Sequence, residues 1–153
     1  MLSREGDMDS QGFIEPNDDQ LGVLLATLLR RLANDQTRLA LWLMEECDLA
    51  PIPYQSIGAK SPLVGSTSEL AGVGILIQLN TVDLEELIAV LTMEARLECE
   101  ILHLEIEFQG AVQLAAYDHF GHVFFGQGIP LDLLETLKHR QVIEDYQVFS
   151  PQE

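Results

Sequence analysis

Positive charge is scarce in this chain. Lysine and arginine together number 8 against 25 aspartates and glutamates, a net charge of −17 over 153 residues. Sequence-independent binding to nucleic acid rests on Lys and Arg contacts to phosphates, so no nucleic-acid partner is expected. Anionic membrane surfaces are disfavoured for the same reason. Long hydrophobic runs are missing too: no uncharged apolar stretch approaches the ~20 residues that a membrane-spanning helix needs. The opening MLSREGDMDSQG has no apolar core of the kind a secretory signal carries. Cysteine is limited to Cys47 and Cys99, which match no metal-binding spacing and read as reduced, buried thiols of a cytoplasmic protein.

What the chain has in quantity is apolar side chains, 47% of the total. That is too many for a disordered chain, and the length suits one domain with a real core. Residues 1–16 are polar and acidic and read as a mobile arm, leaving 17–153 as a single domain. Asn17 is placed to cap a helix. Leu21, Leu24, Leu25, Leu28, Leu29 and Leu32 then recur at the spacing of one helical face, and the phase continues through Leu39 and Leu43. The expectation is one long N-terminal helix, or a helix pair with a corner near Asn34, ended by Pro51 and Pro53. Val73 to Leu79 reads as a buried strand, and a helix capped by Asn80 or Thr81 follows it.

Leu102, Leu104, Ile106 and Phe108 alternate with His103, Glu105 and Glu107, which predicts a strand with one wet face. Ala111 to Tyr117 and His122 to Phe125 complete a meander, Pro130 opens a last helix, and Val142 to Phe149 adds an edge strand. The fold class is therefore α+β, a mainly antiparallel sheet with a C-terminal meander, covered by the N-terminal helix and two further helices. This element order resembles the roadblock-like and secretion-chaperone-like folds, and the resemblance implies a homodimer.

Four stretches are candidates for function. In DMDSQGFIEPND, Asp7, Asp9, Gln11 and Asp18 stand at positions one, three, five and twelve of a loop, with Gly12 at six. The stretch resembles an EF-hand loop, and more closely the dockerin version, although Gln11 replaces the usual Asp or Asn and Asp18 the bidentate Glu. The resemblance implies calcium as a ligand. In YDHFGH, Asp118, His119 and His122 offer two imidazoles and a carboxylate to a transition metal.

The third stretch is the leucine-rich helix, where Leu41 and Met44 fall outside the main stripe beside Trp42 and would suit a partner surface. The fourth is FFGQGIP, where Phe124 is a docking candidate. No serine sits in a strand–turn–helix elbow, and the glycines of AGVGILIQL precede a strand instead of bridging strand and helix. No enzyme is expected. A chain this acidic attracts basic proteins or cations. The expected function is a non-enzymatic interaction module, chaperone-, inhibitor- or immunity-like, that binds a basic protein partner. The alternative is a calcium- or other cation-binding protein.

Overall fold

Eight strands make one sheet in this computed structural model, which describes residues 11–45, 48–63, 69–93, 95–108 and 110–149. In chain order the elements are β1 (Gly12–Pro16), α1 (Leu21–Leu32), β2 (Arg38–Leu43), β3 (Gln55–Ile57), β4 (Val73–Gln78), α2 (Leu84–Leu91), α3 (Arg96–Cys99), β5 (Ile101–Phe108), β6 (Ala111–Tyr117), β7 (His122–Phe125), α4 (Leu131–His139) and β8 (Ile143–Val148). The strands lie in the order β3-β4-β2-β5-β6-β7-β1-β8, and every neighbouring pair is antiparallel. The α+β class and the β5–β6–β7 meander stand as the sequence predicts. None of the described helices is long and apolar enough to cross a membrane.

All four helices contribute to one core on a single face of the sheet. Leu24, Leu25, Leu28 and Leu29 of α1, Leu87 and Leu91 of α2, Leu97 of α3 and Leu134 of α4 pack there. They meet Leu39 and Leu41 of β2, Ile77 of β4, Leu104 and Ile106 of β5, and Phe125 of β7. Each such side chain contributes roughly 1.5–3 kcal/mol by leaving water. The opposite face carries a smaller apolar cluster, Ala40, Trp42, Leu76, Val112 and Ala115, covered by Leu63. Strand β2, RLALWL, is buried on both faces from Leu39 onward, which is why its sequence runs apolar without alternation.

Several expectations change. The helix stops at Leu32, and residues 38–43 are a strand, so no helix extends through Leu43. Thr37 Oγ1 donates to Leu32 O at 2.6 Å and Asn34 Oδ1 accepts from the Gln36 N–H at 2.7 Å, which satisfies the end of the helix and turns the chain. Gly12–Pro16 is no part of a mobile arm: it is an inner strand between β7 and β8. Gly12 is required there by contact, since a Cβ would meet Gln147 O at 1.9 Å. The cap of α2 is Asp83, whose carboxylate accepts from the Glu86 N–H, in place of Asn80 or Thr81. Cys99 is exposed where a buried thiol was expected, and Cys47 lies outside the described residues.

Candidate functional site

The second face of the sheet holds the polar side chains that a buried sheet ordinarily excludes. Glu105 of β5 stands between Ala40 of β2 and Ala115 of β6 and is only 1% exposed. Burying a carboxylate costs several kcal/mol unless its oxygens are hydrogen-bonded. Here Ser61 Oγ donates to it at 2.5 Å and the Tyr117 hydroxyl at 2.7 Å. Two residues along, Glu107 accepts from Arg38 Nε at 2.7 Å, and that bond pushes the guanidinium further up against the opposing effect of burial. The expected wet face of β5 is therefore covered: His103, Glu105 and Glu107 are all buried. Residues 58–63 form the cover. Gly58 O accepts from Trp42 Nε1 at 3.3 Å, Ser61 binds Glu105, and Leu63 packs on Ala40 and Trp42.

His103 faces Trp42 on one side and the edge of the Tyr117 ring, 5.6 Å away, on the other. Its Nδ1 accepts from the Asp118 N–H at 3.2 Å, so in the neutral ring Nε2 carries the proton. Burial lowers its pKa below the usual imidazole value. The Asp118 charge works against that shift and His119 adds to it.

Beyond Ala115 the same face becomes aromatic. Ala115 pairs with Phe124, Phe124 with Phe13, and Phe13 with Gln147, which places the two rings side by side across β7 and β1. Phe149 follows, its ring centroid 6.2 Å from that of Phe13. A cavity of about 450 Å³ opens here, with Phe13, Phe124 and Pro16 as apolar lining, Glu15 and Asp18 as acids, and His122 at one end. Glu15 and Asp18 are exposed, so their negative charge faces solvent. An apolar floor with charged groups at its rim suits a side chain that is itself part apolar, part cationic.

The candidate residues from the sequence fall in different places. Asp7 and Asp9 lie outside the described residues. Gln11 donates its N–H to Phe125 O at 2.7 Å and accepts from the Phe149 N–H at 2.8 Å, so it is held at the sheet. The extended strand β1 then separates it from Asp18, which lies in a short 3₁₀ turn. A twelve-residue calcium loop curls through its middle positions, whereas residues 12–16 here run extended in β1.

Asp118, His119 and Phe120 form the β6–β7 turn in left-handed conformations, with φ of 57°, 56° and 67°. Such backbone is unfavourable for ordinary residues, and burial of Phe120 in the core offsets it. The turn sends His119 toward Leu97 O, 3.4 Å from Nδ1, while His122 and Asp118 approach to 3.8 Å in solvent. The three do not converge, and no group of three ligating side chains among the described residues could hold a metal.

Leu41 and Trp42 are fully buried in β2, which corrects their assignment to a partner surface. Met44 is 53% exposed and Phe124 half-buried. Sequence reading missed Phe13 and Glu15, which it gives to the arm, and Phe149, which it gives to the last edge strand without a role. The alternation in GFIEP, with Ile14 inward and Phe13 outward, was the available signal. No family model, no curated protein and no solved structure matches this chain, so the resemblance to roadblock-like and secretion-chaperone-like folds gains no support.

Proposed function

We propose that this protein is a non-enzymatic, acidic interaction module that binds a basic segment of another protein on the second face of its sheet. The observation that carries the reading is the cavity between β1 and β7, where Phe13 and Phe124 form an apolar floor and Glu15 and Asp18 an acidic rim. The net charge of −17 attracts a basic partner over distance. A lysine or arginine suits the site because its stem is apolar and its head seeks carboxylates. Ser61, the serine beside the buried acid, donates to Glu105 and not to an imidazole, an arrangement that holds the covering segment down. Within this reading the seam of Ser61, Glu105 and Tyr117 is a foundation, and binding belongs to the cavity beside it.

The test is selection from a random peptide display library against the purified protein, followed by calorimetry on the enriched peptides. The expected peptides combine Lys or Arg with an apolar neighbour, and their affinity falls steeply with added salt. Phe124→Ala and Glu15→Lys each weaken binding by about tenfold or more, as loss of a central contact does, with the melting temperature checked for both. Enrichment of peptides without basic residues, or binding indifferent to both substitutions, overturns the proposal.

A further inference from the structure

The sheet ends on one side at β8, and the backbone there is arranged for another strand. Gly12 stands opposite Val148, and the Phe149 N–H donates to Gln11 O at 2.8 Å. In an antiparallel pair this register turns the backbone groups of Gln147 and Phe149 toward β1 and those of Tyr146 and Val148 outward, as far as the register shift at Glu15/Pro16. Outward N–H and C=O groups on a sheet edge are a template for an added strand. One of them is already engaged by a stand-in: the Tyr146 N–H donates to Asp145 Oδ1 at 2.9 Å, and Lys138 Nζ holds the same oxygen at 3.1 Å. A carboxylate oxygen thus sits where the carbonyl of a ninth strand would sit.

We propose that β8 is a docking edge, and that its occupant is an extended basic segment of another protein that adds to the sheet as a ninth strand. The inference rests on the interaction reading above and specifies how the partner is held. Phe149 is 42% exposed and packs against Phe13, so the aromatic floor that begins at Phe124 runs out to this edge. Apolar side chains at every second position of an incoming strand lie over that floor, because strand side chains alternate between faces. Glu144 and Asp145 supply the matching negative charge on β8 itself. A second copy of this chain would bring the same two acids to the same edge, with −17 on each molecule, and like charges facing across strands are destabilising. On docking, the partner's carbonyl takes over the Tyr146 N–H and frees Asp145 to meet a partner lysine.

The experiment uses the full chain and an acetylated, amidated octapeptide of alternating lysine and valine, with two variants N-methylated on every lysine or on every valine. Only one set of peptide N–H groups can face β8. One methylated variant therefore binds about tenfold or more weaker than the parent, as loss of several net hydrogen bonds implies, while the other binds like the parent. Val148→Pro removes one outward donor without touching the β1 ladder, and weakens the parent to a similar degree at a near-unchanged melting temperature. Two methylated peptides that both match the parent, a Val148→Pro variant that binds normally, or a homodimer through β8 in sedimentation each overturn strand addition. If Phe124→Ala abolishes binding while methylation does nothing, the interaction reading stands and the docking edge falls. If none of the three peptides binds although display-selected peptides do, the docking edge alone falls.

Discussion

His103 shows how a single buried side chain ties stability to pH. Its imidazole is held neutral by burial between Trp42 and Tyr117, with the Asp118 charge opposing that effect and His119 reinforcing it. Below about pH 6.5 an unfolded imidazole takes up a proton, while the folded one resists until lower pH. The unfolded state then binds more protons, so stability is complete above that value and declines as pH falls through it. The expected result is a melting temperature that drops between about pH 7 and pH 5. His103→Asn should flatten that drop, since it keeps an acceptor for the Asp118 N–H but does not titrate.

Asp145 and Glu85, lowered by the Tyr146 N–H and by Arg30 respectively, lose their contribution in a separate window, in and below the ordinary carboxylate range. None of this was legible in the sequence. His103, Glu105 and Glu107 alternate with apolar residues as a solvent-facing row does, and only their neighbours Ala40, Trp42 and Ala115 reveal that the row is buried.

At the scale of elements, the second half of the chain was readable because its strands keep period two and its turns carry Gly or Pro. Strand β2 was not readable, for a specific reason. Leu39 and Leu43 continue the helical phase of α1, while Leu39, Leu41 and Leu43 equally share one face of a strand. The choice between the two was made by Asn34 and Thr37, whose side chains end the helix by bonding local backbone. Strand β1 was hidden differently, since five residues before a helix cap give too short a pattern to stand out.

Its fit is tight all the same. Gly12→Ala should drive a methyl into Gln147 O and separate β8 from β1 locally. The expected cost is about 1–3 kcal/mol, the range for overpacking. Urea denaturation reads it as a lower midpoint, and faster amide exchange in β8 than in β4 localises it. An unchanged midpoint would mean that the β1–β8 pairing tolerates separation.

For the whole molecule, charge is the dominant fact. Twenty-five acids against 8 bases repel one another most in the compact state. Raising ionic strength from about 0.01 M to about 0.15 M shortens the screening length from about 30 Å to about 8 Å. The melting temperature should therefore rise over that interval, and a calorimetric scan series checks it. A flat or falling series would mean that ion pairs such as Arg38–Glu107 outweigh the net repulsion. The same salt that strengthens the fold should weaken the proposed partner binding, so the two curves are expected to slope in opposite directions. Fold class was visible at this scale from element order and composition, whereas the cavity was not. It arises where strands from opposite ends of the chain are brought side by side.

That placement of β1 between β7 and β8 has a consequence for synthesis. GFIEP leaves the ribosome before any other described strand, yet both of its neighbours in the sheet are made after residue 121. Until then α1, α2, α3 and the β2–β6 part of the sheet can assemble, while the earliest described strand waits without a seat. The aromatic floor forms only when that strand is finally inserted, so a nascent chain lacks the proposed docking surface until its closing strands have emerged.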